Sequence, residues 1–183
     1  MEKTEKMSGH GKFSMGRYFQ ILTRMLTAPG QFFSEFTDDM TFSQPLGCLL
    51  ISTVFFTGAS LLQLSESNVP IAGILFLNAV LMPVITAGIT FTITNVSIIK
   101  RVTFVKIFSV YAYASSVTLL ISWVPLFVWL TEPWKWVLIY AGLTKGCGLT
   151  RIHAILILGG TILTLVLFFQ SLGLAISHMK GLT

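Results

Sequence analysis

Apolar residues are arranged in two ways along the chain. Up to residue 44 they alternate with polar ones at helical spacing, and beyond it they run in long, nearly unbroken blocks. In the first part Ser14 is placed to cap a helix ending near Thr27. Within that helix Tyr18, Ile21, Leu22, Met25 and Leu26 recur every three to four residues, with Arg17, Gln20 and Arg24 on the other side. Pro29 ends it and suits the first turn of a second short helix. There Phe32, Phe33 and Phe36 oppose Glu35, Asp38 and Asp39. An apolar stripe with basic partners just before a membrane span predicts a helix lying in the interface plane. A helix packed on a partner protein would show the same stripe. The residues of this expected membrane-surface or partner contact are Tyr18, Leu22, Met25, Pro29, Phe32, Phe33 and Phe36.

The blocks that follow predict transmembrane helices, since about 20 residues at about 1.5 Å rise cover the roughly 30 Å hydrocarbon core. The expected spans are about 45–64, 70–99, 107–130, 134–147 and 152–177. The second is long, so it is expected to tilt, with a kink at Pro83. Residues 107–144 would make a helix of about 57 Å, too long for one crossing. They must turn at Trp123-Val124-Pro125 or at Thr131-Glu132-Pro133. The second turn is preferred, because Glu132 and Lys135 are the only charges there and Trp129, Trp134 and Trp136 surround them as in an aromatic belt. The expected architecture is therefore all-α, a polytopic bundle of five transmembrane helices (45–180). An amphipathic interfacial segment (13–44) and a mobile tail (1–12) precede it.

Composition agrees. Charged residues are 10% of the chain, against roughly 25% in soluble domains. Hydrophobic residues are 54% and the mean hydropathy is +0.80. A soluble fold would lack the polar surface to cover so much apolar area. The first 20 residues hold no apolar run of signal-peptide type, so the first span is expected to serve as an uncleaved anchor.

Charge sets orientation. With five crossings, Lys3, Lys6, Lys12, Arg17, Arg24, Lys100, Arg101, Lys106, Lys145 and Arg151 share one side, and Lys135 and Lys180 the other. The positive-inside rule then places the N-terminus in the cytoplasm and the C-terminus outside. The net charge of +5 forms no patch with interleaved aromatics, so no nucleic-acid partner is expected.

No motif for chemistry is present. HExxH, G-x-S-x-G and P-loop patterns are absent, and Gly146-Cys147-Gly148 is too short for a dinucleotide fingerprint. Cys48 and Cys147 belong to no metal or redox cluster. His153 and His178 would lie about 37 Å apart on one helix and cannot share a haem. No catalytic, cofactor or metal residue is therefore expected. No charge falls mid-span, which argues against an ion-coupled transporter. The second span does carry Asn78 and a stripe of Thr86, Thr90 and Thr94. These form either a polar path or hydrogen-bonding glue between helices.

The segment Tyr18 to Phe36, with Pro29, Phe32, Phe33 and Glu35, resembles the start of bacterial members of the YIP (Ypt-interacting protein) domain family. Phe104, Phe108, Tyr111, Ala112, Tyr113 and Ala114 resemble its third span. Tyr140-Ala141-Gly142-Leu143, Gly148-Leu149-Thr150-Arg151 and Ala154 resemble the segment between its last two spans. The likeness runs from about 17 to 178, except that the region between spans three and four is more cramped here. It implies five spans and a cytoplasmic N-terminus; a GTPase partner of the eukaryotic relatives is not carried over. The expected function is a non-enzymatic protein of a bacterial inner membrane that shapes the membrane or serves as scaffold or accessory subunit. Its expected partners are lipids and other proteins or further copies of itself. The alternative is a channel or facilitator for a small or lipid-like solute, built on the polar face of the second span.

Overall fold

A computed structural model describes residues 15–37, 40–63, 69–97 and 102–180, the side chains of 125, 128, 172 and 174–180 excepted. The Ser14 cap, the tail 1–12, Asp38 and Asp39, the turn 65–68, the basic pair at 100–101 and the side chain of His178 lie outside the described residues. The described elements are helical: α1 (Met15–Thr27), α2 (Pro29–Ser34), α3 (Ser43–Leu61), α4 (Val69–Ser97), α5 (Phe104–Ser122), α6 (Val128–Ala141) and α7 (Arg151–Lys180). A 3-10 turn, Pro125–Phe127, precedes α6, and a π-helical turn, Gly142–Gly146, prolongs it. Among the described residues four stretches are long and apolar enough to cross a membrane: Ser43–Leu61, Val69–Ser97, Phe104–Ser122 and Arg151–Ser171.

α5 is the axle of the bundle. Every residue from Ile107 to Thr118 is buried, so this helix is covered on all sides. α3, α4 and α6 pack directly against it, and α7 leans mainly on α4. The helix is apolar enough to be buried, yet Ser109, Ser116 and Thr118 need no outside partner. Their hydroxyls bond to the carbonyls of Val105, Ala112 and Ala114 one turn back. Aromatic rings close one end, where Phe42 meets Phe104 and Phe108 and Phe91 meets Phe104, with centroids 5.4–5.9 Å apart. At the other end Gln63 Nε2 donates to the Trp123 carbonyl at 3.0 Å, tying the ends of α3 and α5 together.

The chain turns between α5 and α6 at Trp123–Phe127, not at the preferred Thr131-Glu132-Pro133, which lies inside α6. The reason is where each proline falls. Pro125 opens a helical turn, where a missing N–H costs nothing. Pro133 sits beyond the first turn of α6 and forgoes one backbone bond, which a helix anchored along its length tolerates. Glu132 and Lys135 pair on its exposed side at 3.0 Å. α6 then returns antiparallel along α5. Ser122 Oγ meets Thr131 Oγ1 at 3.0 Å near one end, and Gly142 abuts Val110 near the other.

The end of α6 is specified by glycine. The helix widens so that the Cys147 N–H reaches back five residues to the Gly142 carbonyl, at 3.0 Å. Gly148 then takes φ 64°, a left-handed conformation that costs only glycine nothing, and Leu149 N–H returns to the Leu143 carbonyl. Thr150 caps α7, with its hydroxyl accepting from the His153 N–H at 3.4 Å and meeting His153 Nδ1 at 2.6 Å.

Candidate functional site

The segment that precedes the bundle folds back onto it. Along α1, Tyr18, Ile21, Leu22 and Met25 are buried. After Ala28 the chain re-enters helix at Pro29, and Phe32 and Phe33 of α2 are wholly buried. This corrects the expectation that Tyr18, Leu22, Met25, Phe32 and Phe33 meet lipid or a partner. Their contact is the protein's own bundle. Pro29 and Phe36 are half-buried beside them. An apolar stripe demands cover but does not say what supplies it, and here α3, α5 and the π-helical turn do so at lower entropic cost than a separate molecule would.

The contacts are specific. The Tyr18 hydroxyl and Ser52 Oγ of α3 are 2.8 Å apart in a buried bond. Burial pushes the Tyr18 pKa above its ordinary value, against the opposing effect of the Ser52 bond and with a small further rise from Cys48. The hydroxyl therefore stays protonated. Phe32 meets Tyr113 of α5 edge-on, with centroids 5.2 Å apart, and Phe36 lies 6.1 Å from the same ring. Phe33 packs edge-on against Phe36 at 5.3 Å. Each such pair contributes about 0.5–1.5 kcal/mol beyond the area it buries. α2 can approach the π-helical turn because residue 146 is glycine: a Cβ there would stand 3.1 Å from Phe36 Cδ2. Arg24 of α1 pairs with Glu35, clamping the two short helices together at the edge of the site.

The apolar arc of α1 is wider than the face it buries. At about 100° per residue, Met15, Phe19 and Leu26 fall within about 40° of one another, next to the buried stripe. They are 58%, 61% and 50% exposed. Leu26 belongs to the predicted stripe; Met15 and Phe19 widen it. The signal was an apolar arc of about 160°, more than a single packing face needs.

The polar positions of α4 separate. Thr86, Thr90 and Thr94 are buried. Thr90 Oγ1 lies 2.6 Å from the Tyr111 hydroxyl and 3.0 Å from Thr161 Oγ1, joining α4, α5 and α7. Thr86 and Thr94 donate to the carbonyls of Met82 and Thr90. All three hydroxyls are thus bonded within the buried side of α4. Asn78 stands apart from them on an exposed face. Among the described residues no group of three or more His, Cys, Asp or Glu is placed to hold a metal ion.

A core helix ringed by apolar helices, with polar groups turned inward and large aliphatic residues outward, defines a polytopic helical membrane protein. The family follows from comparison. The Yip1 domain model matches residues 23–173, from α1 to α7, and the chain belongs to that family. No curated protein and no solved structure matches the chain.

Proposed function

We propose that this Yip1 domain protein is a non-enzymatic protein of a bacterial inner membrane that shapes the bilayer, or serves as scaffold or accessory subunit, through its docked N-terminal helices. In this reading the bundle crosses five times, with α6 and its π-helical turn as the fourth crossing. The antiparallel return of α6 along α5 supports that count. With the loop charges it gives a cytoplasmic N-terminus and an outer C-terminus. One observation carries the proposal: the apolar arc of α1 is divided. Tyr18, Leu22, Met25, Phe32 and Phe33 anchor the pair to the bundle, while Met15, Phe19 and Leu26 remain as an apolar edge beside it. A helix rigidly attached to a transmembrane bundle cannot leave the interface, so an apolar edge on it acts as a wedge among the lipid headgroups.

The test uses the full chain in vesicles of phosphatidylethanolamine and phosphatidylglycerol, with vesicle shape followed by electron microscopy. Replacing Phe19 and Leu26 together by Ser should reduce tubulation or curvature and leave thermal stability unchanged. Replacing Phe32 and Phe33 by Ser should loosen the pair itself and expose residues 15–37 to protease. Vesicles deformed equally by wild type and the Phe19/Leu26 variant would sink the wedge.

A further inference from the structure

α4 has a second face that the bundle does not use. Its buried side is Ala79, Pro83, Thr86, Ala87, Thr90 and Thr94. Opposite them, Ile74, Asn78, Leu81, Ile85, Gly88 and Thr92 follow one another at alternating steps of four and three. Ile74, Leu81 and Ile85 are 68%, 47% and 44% exposed, and Asn78 and Thr92 are exposed too. A Cβ built on Gly88 meets nothing within 4 Å. Residues at such steps share one helix face, the face a left-handed helix pair would use as its seam.

The polar member of this seam points to its occupant. Thr92 satisfies its own helix, donating to the Gly88 carbonyl at 3.0 Å. Asn78 makes no hydrogen bond among the described residues. It lies five residues from the middle of α4, about 8 Å along the axis, well inside the roughly 15 Å half-thickness of the hydrocarbon. A carboxamide facing acyl chains there has lost its water and gained nothing.

We propose that two copies of this chain pair in the membrane through this face of α4, with Asn78 against Asn78. A second copy has the same topology, so a two-fold axis along the bilayer normal brings the two side chains to the same depth. The carboxamide is its own electrostatic complement: the N–H of each donates to the C=O of the other, which a pair of lysines or of ionised carboxylates could not do. Gly88, nearly three turns further on, lets the backbones close together. The pairing rests on the membrane assignment alone, not on the wedge at α1.

The experiment places the full-length protein in phosphatidylethanolamine–phosphatidylglycerol vesicles at falling protein-to-lipid ratio. Dimer fraction is counted by single-molecule photobleaching. Wild type should dimerise, Asn78→Leu should weaken the dimer about three- to tenfold, and Asn78→Gln should retain it. Single cysteines introduced in a Cys48→Ala, Cys147→Ala background supply the second measurement. Ile74→Cys, Leu81→Cys and Ile85→Cys should cross-link on oxidation, while the lipid-facing Val54→Cys of α3 and Leu163→Cys of α7 should not. A monomeric wild type, an unchanged Asn78→Leu dimer, cross-links of equal yield at Val54 and Leu163, or cross-links to a different protein in native membranes would overturn the proposal. A monomer that still deforms vesicles would overturn the pairing and leave the wedge standing.

Discussion

Gly142→Ala tests the α5–α6 packing through the sign of its effect. In a helix interior alanine is favoured over glycine by about 0.5–1 kcal/mol. With no neighbour in the way the substitution should stabilise the protein. At Gly142, however, an added Cβ would stand 2.7 Å from Val110 Cγ2 and 3.1 Å from its Cβ. Comfortable carbon contacts are about 3.5–4.0 Å, so the two helices would have to part by about 1 Å. Val110 cannot rotate aside, because it is β-branched and fully buried in a helix that is covered on all sides. Overpacking of this kind costs about 1–3 kcal/mol, which outweighs the propensity gain. The expected result is a net loss of about 1–2 kcal/mol, read by unfolding in mixed micelles with tryptophan fluorescence. Two comparisons make it decisive. Gly58→Ala in α3, where the new methyl meets nothing within 4 Å, should be neutral or stabilising. In a Val110→Ala background the cost of Gly142→Ala should shrink sharply, since the two methyls are gone and only the Cβ contact at 3.1 Å remains. If Gly142→Ala raises stability in the wild-type background as much as Gly58→Ala does, the close approach of α6 to α5 is wrong.

Two further expectations concern the polar contacts. Arg24→Ala should leave the half-buried Glu35 carboxylate without its cation and cost about 1–2 kcal/mol, a figure reduced because the Arg24 side chain is 34% exposed. Hydrogen exchange should then quicken across α1 and α2 but not α5, and exchanging the two charges should restore protection; unaltered exchange would remove the clamp from the account. Thr90→Val keeps the shape of the side chain and deletes its bonds to Tyr111 and Thr161. It should destabilise the bundle by about 0.6–1.7 kcal/mol in the same unfolding assay and leave vesicle permeability to small solutes unchanged. Normal stability with altered permeability would favour a solute path instead.

The long apolar blocks were legible as membrane helices because the bilayer sets their length, and no detail of packing can alter that requirement. The α1 stripe was legible too, since burial at helical spacing leaves a periodic trace. What covers the stripe leaves no trace of its own. Tyr18 reads alike whether it meets lipid, a partner or α3, and the bond to Ser52, 34 residues away, is what places it on α3. The turn after α5 went to the wrong proline because charge and tryptophan mark the membrane boundary, whereas helix continuity depends on which backbone N–H is dispensable. Pro125 stands at the start of a turn and Pro133 inside a helix. The π-helical turn at Gly142–Gly146 was hidden because a shift from four-residue to five-residue bonding changes no side-chain pattern over so short a stretch.

Polarity in this bundle sorts by depth of packing instead of by chemistry. In lipid a hydroxyl has three ways to be satisfied: its own helix, a neighbouring helix, or another molecule. Ser109, Thr94 and Thr92 take the first, bonding to carbonyls one turn back, and such residues are tolerated on any face. Thr90 and Tyr18 take the second, and each marks a junction between elements distant in the chain. A carboxamide on the lipid face with neither option, as at Asn78, is left with the third. Residue type alone cannot assign these roles, because threonine fills two of them within α4. The assignment comes from asking where each donor goes, and a polar group with no destination inside the chain is where an interaction with another molecule should be sought.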